Sequence, residues 1–334
     1  MKNVLIIGSG KRVQSTIIPA LMCLRDDFNI SHIYSRSEKT IKCSLDYEIE
    51  TKTQLSDIDV ASIDLIMVAI TLDQVPSVLK KLLKYNTQHI VLMLDTPVLR
   101  FRDIYSVRYF KNFKKVLVLE DTIALPPFVV ARDLIVKNNI GKLTSIDFIH
   151  NGYKYHALAS LKMLVGNNKI ISIKNRKLAN KTQVKEILFP QEIMTSLLEP
   201  RDYSKGKFII HGESGSIADY EVQGMNLYKI GYLSQNGLYM GLSLNGEDIL
   251  PNTIDKKYQQ YISNNLIDQS LMNSMKIRGL MDLITSFDKP TSPFHYAPDE
   301  AIYDALAIKI SERGYFKNIG IKAIIKLIMG KSLF

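Results

Sequence analysis

The opening of the chain constrains its fold more than any other stretch. Residues 4–7 form a short apolar run, which is typical of a strand buried on both faces of a sheet. The run leads directly into a glycine turn at residues 8–10, and a helix is predicted over residues 13–24. A strand, a glycine turn and a helix in this order bind phosphate in dinucleotide-binding folds, because the helix N-terminus offers free N–H groups. Val13 takes the third glycine position of G-x-G-x-x-G, so this pattern by itself does not identify a dinucleotide site.

Strand-like and helix-like segments alternate through the first half of the chain. Four more strands are predicted, at residues 29–34, 65–70, 89–94 and 116–119. Helical patterns come after two of them, at residues 75–84 and from Pro97 through Tyr109. Strands that alternate with helices at this spacing predict an α/β, doubly wound parallel sheet. We therefore expect a dinucleotide-binding Rossmann domain over residues 1–122.

The pattern changes in the second half, where strands succeed one another with turns between them. Strands are predicted at residues 143–150, 207–211, 215–222, 227–233 and 238–244, and helices at 126–139, 268–286 and 299–313. Turn signals such as Asn236-Gly237 and Asn245-Gly246 separate the strands. This order predicts an α+β domain with a mostly antiparallel sheet over residues 123–334, serving substrate binding and oligomerisation.

Composition limits the class of protein. The 334 residues carry a net charge of +10, which is compatible with nucleic acid, an anionic membrane surface, an anionic substrate or a solvated lysine-rich surface. No nucleic-acid-binding module is recognisable, so no nucleic-acid partner is expected. Cys23 and Cys43 fit neither a disulfide framework nor a zinc site, and the N-terminus does not resemble a secretion signal. A reducing, cytoplasmic location is expected.

Residues 315–334 place isoleucine and leucine among several lysines. A basic amphipathic helix of this kind can lie on a membrane surface. The alternative, which we prefer, is a terminal helix that packs its apolar face on the body of the protein or on a partner subunit.

Several motifs together resemble one family, the glucose–fructose oxidoreductase/inositol dehydrogenase group (Gfo/Idh/MocA), and they occur in the family's order. They are residues 17–21 after the glycine turn, residues 95–97 (Asp-Thr-Pro) in place of Glu-Lys-Pro, residues 138–143, His156 ten residues before Gly166, residues 208–218 and residues 296–304. The resemblance implies an oxidoreductase that transfers a hydride between a nicotinamide cofactor and a carbohydrate or nucleotide-sugar derivative. Imine reduction is a variant of this chemistry. The resemblance also implies a homodimer or tetramer.

The end of the second predicted strand bears on the choice of cofactor. NAD-binding folds place an acidic residue there, where it bonds the ribose 2′-OH. This chain has Ser35 and Arg36 instead, and a guanidinium suits the 2′-phosphate of NADP. Lys11 and Arg12 add positive charge in the glycine turn. We expect NADP rather than NAD, the alternative being a solvated basic loop.

Other residues are expected to contact the cofactor because they come directly after strands of the parallel sheet. Besides Gly8, Ser9 and Gly10, they are Thr71, Gln74, Asp95, Thr96 and Pro97. Loops at the carboxyl ends of parallel strands face the ligand crevice. Helix capping by Thr71 or Asp73 is the alternative for the first of these loops. In the second, a cis peptide at Pro97 is one way to shape the turn.

The catalytic set implied by the resemblance is incomplete. The family's lysine is Thr96 here, and the aspartate four residues before the histidine is Gly152. His156 remains, and imidazole titrates near neutral pH. Lys154 and Tyr155 could assist it. The alternative is that His156 is a packed histidine.

The missing lysine and aspartate also motivate a different class of function, a catalytically silent dinucleotide-binding regulatory or scaffold protein. No metal site is expected, because His211, His295 and Asp299 do not show the spacing of convergent ligands.

Overall fold

The structure is a computed structural model of the chain, and it describes residues 1–44, 47–166, 169–178, 182–202, 204–222, 226–265 and 270–318. Two β-sheets with helices around them account for most of these residues. In the described part, no helix combines the length and apolar character needed to cross a bilayer.

Seven strands form the first sheet. They are β1 (Lys2–Ile7), β2 (Phe28–Tyr34), β3 (Thr40–Lys42), β4 (Glu48–Lys52), β5 (Leu65–Val68), β6 (Val91–Asp95) and β7 (Lys115–Leu119). Their spatial order is β3-β4-β2-β1-β5-β6-β7. Neighbouring strands are parallel except for the edge pair of β3 with β4. All four residues of β5 are buried, which explains why its sequence is a continuous apolar run.

Ten strands form the second sheet. They are β8 (Leu143–Ile149), β9 (Ser172–Lys177), β10 (Gln183–Leu188), β11 (Met194–Glu199), β12 (Lys207–Gly212), β13 (Ser216–Ala218), β14 (Leu227–Gln235), β15 (Leu238–Leu244), β16 (Glu247–Asp248) and β17 (Tyr315–Lys317). The order is β16-β15-β14-β13-β12-β8-β11-β10-β9-β17. Pairing is mostly antiparallel, with β8 parallel to β11 and β13 parallel to β14. The predicted fold class, a parallel doubly wound sheet followed by an α+β part, is confirmed.

Seven α-helices accompany the sheets in the described residues. They are α1 (Ile18–Cys23), α2 (Val75–Leu82), α3 (Pro126–Val136), α4 (Lys154–Leu164), α5 (Thr253–Asn265), α6 (Leu271–Thr285) and α7 (Pro298–Ser311). Tighter 3-10 segments include Phe101–Asn112 and Asp121–Ala124.

The first helix begins with a wide turn, and its sequence explains why. Val13–Ile17 is π-helical and continues into α1. Pro19 has no N–H and would clash with the carbonyl of residue 15 in a regular α-helix, so a wider turn relieves the clash. The freed Ser15 carbonyl accepts a hydrogen bond from the side-chain amide of Asn273 at 3.1 Å, which ties α6 to this turn.

The chain forms two compact units that are not contiguous in sequence. The first comprises Met1–Pro126, Tyr232–Gly241 and Ile249–Ala301, and the second comprises Pro127–Gly231, Leu242–Asp248 and Ile302–Phe334. The predicted division at residues 122 and 123 lies between the last strand of the first sheet and the first strand of the second. Helices α5 and α6 follow that point in the sequence but belong to the first unit. In the first unit, α6 packs closely enough on the 3-10 segment that a Cβ on Gly279 would lie 2.6 Å from the Ala124 carbonyl oxygen.

Three local predictions need correction. The helix expected to run through Tyr109 is the 3-10 segment Phe101–Asn112. Tyr315–Lys317 is strand β17 rather than the start of a helix, and residues 319–334 of the predicted basic helix lie outside the described residues. The third correction is an omission, because the pattern of the sequence did not predict β3, β4, β9, β10, β11, β16 and α5.

Candidate functional site

A cleft of about 630 Å³ lies in the first unit, beside the ends of β1, β2 and β6. Ten of the predicted cofactor residues line it, and they are Gly8, Ser9, Gly10, Lys11, Arg12, Ser35, Arg36, Thr71, Gln74 and Asp95. Among the described residues, Thr96 and Pro97 fall outside this lining. They follow the last residue of β6, and the peptide bond between them is cis.

The glycine turn leaves room for a ligand close to the backbone. Gly8 has φ of +122°, and a Cβ there would lie 2.2 Å from the Ala69 carbonyl oxygen, so only glycine fits. A Cβ on Gly10 would meet no heavy atom of the described residues within 4 Å. The open space above Gly10 is the cradle that a phosphate needs at a helix N-terminus. The residues present therefore fit a dinucleotide.

Side chains hold the glycine turn against the second strand. The hydroxyls of Ser9 and Ser35 are hydrogen-bonded at 2.8 Å, and the Gln14 amide donates to the Ser9 carbonyl at 2.7 Å. Both serines are buried, so the bond lies away from solvent. Ser35 therefore lines the cleft and also bonds the glycine turn, a contact that its sequence position alone did not suggest.

One end of the cleft collects positive charge. Arg36 is exposed there, and two lysines that the sequence pattern did not single out join it. Lys39 Nζ donates to the Ser9 carbonyl at 3.4 Å, and Lys81 Nζ lies 3.4 Å from the Tyr34 hydroxyl. Three cations converge where β2 ends, on a surface that favours an anionic group.

The other end of the cleft is an ion cluster around Arg12. Its guanidinium donates to Asp121 Oδ2 at 2.6 Å and lies 3.4 Å from Asp95 Oδ1. Burial lowers the pKa of Arg12, but the charges of Asp121, Asp95 and the buried Glu120 more than offset it, so the pKa is raised. Arg12 thus stays charged and joins the glycine turn to the ends of β6 and β7.

The loop after β5 is not a side-chain cap for α2. Gln74 is the N-cap residue, and among the described residues its side chain makes no cap hydrogen bond. Thr71 instead bonds the carboxylate of Asp73, which together with Arg100 lowers the pKa of that carboxyl group. Thr71 and Gln74 both line the cleft, and in the described part of the chain neither caps α2 with its side chain.

The predicted catalytic residues lie in the second unit, on the first turn of α4. The rings of Tyr155 and His156 are in contact, with centroids 4.4 Å apart. Burial lowers the pKa of Lys154 while an ion pair with Glu312 at 3.3 Å raises it, and the net pKa is raised. Lys154 is therefore a cation at neutral pH and is unsuited to act as a base.

The position of the family aspartate cannot carry a side chain here. Gly152 is buried, and a Cβ on it would lie 2.4 Å from the Cβ of Ala157. The glycine is therefore required by close packing at the start of α4.

Comparison with known proteins supports the fold. No protein-family model matches the chain, and no curated protein matches it. Solved structures do match, at low identity. A myo-inositol dehydrogenase from Corynebacterium glutamicum is 9% identical, with a TM-score of 0.62 over 96% of this chain and 99% of that one.

Two further structures have the same fold. GenD2 from gentamicin A biosynthesis, solved in complex with NAD, is 11% identical, with a TM-score of 0.60 over 96% of this chain and 97% of that one. The super-repressor mutant of Gal80p from Saccharomyces cerevisiae is 14% identical, with a TM-score of 0.64 over 96% and 98%. The fold implied by the resemblance to the Gfo/Idh/MocA group is thereby confirmed, and at this identity the comparison supports the fold alone.

Proposed function

We propose that the protein is an NADP-dependent oxidoreductase that transfers a hydride between nicotinamide and an anionic carbohydrate or nucleotide-sugar derivative. The observation that carries the cofactor is the cationic end of the cleft, where Arg36, Lys39 and Lys81 gather at the end of β2. A carboxylate at this place would select a ribose hydroxyl, whereas cations suit a phosphate. GenD2, a protein of the same fold, binds NAD.

The cofactor, when bound, supplies or accepts the hydride. The glycine turn and the N-terminus of the helix after it hold its pyrophosphate through backbone N–H groups. Arg36 with Lys39 and Lys81 binds the 2′-phosphate. His156 exchanges the substrate proton, and the Lys154 ammonium attracts an anionic substrate group.

Arg36→Ala should weaken NADPH binding about 10- to 100-fold, the equivalent of the ~1.5–3 kcal/mol carried by hydrogen bonds to a charged group. The Kd for NADH should change by less than about twofold, because NADH has no 2′-phosphate. Isothermal titration calorimetry with both nucleotides measures the four constants.

Arg25→Ala is the matched control, because Arg25 is an exposed arginine that does not line the cleft. Its constants should equal those of the wild-type protein. Tighter binding of NADH than NADPH by the wild-type protein would overturn the assignment of NADP.

His156→Ala should lower kcat by about 100-fold or more, in the range of general acid–base catalysis, with unchanged NADPH affinity. The assay is NADPH absorbance at saturating nucleotide with a panel of sugar acids and nucleotide sugars. His89→Ala is the control, since His89 is an exposed histidine of the other unit. Full turnover by His156→Ala would remove this residue from the site.

A second candidate function is a nucleotide-sensing regulator without turnover. Thr96 and Gly152 replace two polar residues of the family's site, and Gly152 has no space for a side chain. Gal80p, whose structure shares this fold, is described as a super-repressor in its mutant form. Tight NADPH binding without any absorbance change across the panel favours this candidate.

A further inference from the structure

The helix that carries His156 receives its cap from a distant strand. Tyr153 is the N-cap residue of α4, and within the described residues its side chain makes no cap hydrogen bond. Lys154 has a left-handed backbone, with φ of +47°. Its N–H donates to Glu199 Oε1 at 2.6 Å, and Glu199 is the last residue of β11.

The second oxygen of this carboxylate is also used. Glu199 Oε2 pairs with Nζ of Lys185 on β10, and the two residues are 5% and 1% exposed. Strand pairing places them on the same, buried face of the sheet, because Lys185 is opposite Leu197 and Glu199 lies two residues farther along. One buried carboxylate therefore joins a strand ammonium to a helix N-terminus.

A gain in the stability of the folded protein does not by itself explain why such an ion pair is buried. Two charges lose hydration on burial, and apolar residues of similar volume often stabilise a protein as well or better. A fixed anion at a helix N-terminus is favourable and directional, because the N–H groups and the helix dipole both point toward it. The arrangement is suited to fixing where the helix starts.

Neighbouring contacts tie the same two segments together. The His150 N–H donates to the Leu198 carbonyl at 3.0 Å, and the Asp202 N–H donates to the His150 carbonyl at 2.9 Å. His150 Nδ1 lies 2.6 Å from the Pro200 carbonyl oxygen. His150, which precedes α4, is thus bonded to the end of β11 and to the residues that follow it.

We infer that Glu199, neutralised by Lys185, is a positioning residue that sets the first turn of α4 and through it the orientation of Lys154 and His156. The inference rests on the proposed function of His156 only for its effect on turnover. Its effect on the helix start is independent of whether the protein has turnover.

Three variants separate the effect of the charges from that of the hydrogen bond. Glu199→Ala removes the acceptor of the Lys154 N–H and leaves Lys185 buried without its partner. Glu199→Gln keeps an acceptor for that N–H but loses the charge. Glu199→Gln with Lys185→Met keeps the acceptor and removes both charges. Glu186→Gln is the control, because Glu186 lies on β10 beside Lys185 but on the less buried face.

Glu199→Ala should lower kcat about 100-fold while the Kd for NADPH stays within about twofold, as expected for a displaced catalytic group. The double variant should recover kcat to within about fivefold of the wild-type protein, because it restores the hydrogen bond without a buried charge. NADPH absorbance and calorimetry give the two quantities.

A readout without turnover comes from nitrogen-15 NMR of the folded protein. The Lys154 amide should show the downfield shift of a bond to carboxylate, lose it in Glu199→Ala and keep part of it in the double variant. The chemical shifts of the His156 ring should change in the same variants in which the Lys154 amide shift changes.

Unchanged Lys154 and His156 resonances in Glu199→Ala overturn the inference. Moved resonances with full turnover support it and contradict the catalytic role of His156. If Glu199→Ala does not fold, the double variant decides: a kcat or a His156 resonance far from wild-type overturns the inference.

Discussion

Arg12→Met is expected to lower the free energy of unfolding by about 3 kcal/mol, the lower end of the range for breaking a buried ion pair. The substitution leaves Asp121 and the fully buried Glu120 without the guanidinium that offsets their charge. The value is placed at the lower end because Arg12 keeps a quarter of its side-chain surface exposed. Urea unfolding followed by circular dichroism measures the change.

Lys11→Met is the matched control for this loss. Lys11 neighbours Arg12 and lines the same cleft, but it is exposed, so its change should stay within about 0.5 kcal/mol. Adding Asp121→Asn to Arg12→Met should recover part of the lost stability, since one uncompensated carboxylate is then neutral. A loss below about 1 kcal/mol for Arg12→Met would show that the cluster does not hold the glycine turn to the sheet.

Gly8→Ala is expected to destabilise the protein by about 2–6 kcal/mol and to abolish NADPH binding, because backbone strain and overpacking add up. An alanine at φ of +122° is strained, at about 1–3 kcal/mol. Its Cβ would also lie 2.2 Å from the Ala69 carbonyl oxygen, and overpacking adds roughly 1–3 kcal/mol. Urea unfolding and calorimetry with NADPH measure the two effects.

Gly10→Ala, two residues along the chain, is expected to lower nucleotide affinity without lowering stability. Its Cβ has free space, so stability should change by less than about 0.5 kcal/mol. NADPH affinity should nevertheless fall, because the methyl group enters the space that the pyrophosphate needs. Equal stability losses in the two variants would contradict the separate roles of the two glycines.

The sequence predicts elements best where burial is uniform. β1, β5 and β6 are largely apolar because both faces of the first sheet are covered. β10 and β11 were not predicted because their buried face includes charged residues, Lys185 and Glu199, and hydrophobic patterning treats charge as exposure. A buried ion pair of this kind is recognised only in the structure, which shows that its two charged residues are neighbours in space.

The candidate site shows the same limit. Gly8, Ser35 and Arg36 are predicted from a local pattern that a few consecutive residues define. The bond between Arg12 and Asp121 joins residues 109 positions apart, and the sequence around either residue does not indicate which residue it pairs with. Lys39 and Lys81 were missed for a related reason, because exposed lysines are common and only the fold gathers these two beside Arg36.

The intertwined course of the chain has a consequence for how such a protein can evolve. The unit that contains the glycine turn also needs α6, whose Asn273 bonds the Ser15 carbonyl and whose Gly279 meets Ala124. A recombination event that transferred residues 1–126 alone would bring a parallel sheet whose first helix lacks its covering. Exchange of the first unit as a whole between relatives therefore requires crossovers at its five internal boundaries, after residues 126, 231, 241, 248 and 301, whereas substitution in place leaves the unit intact.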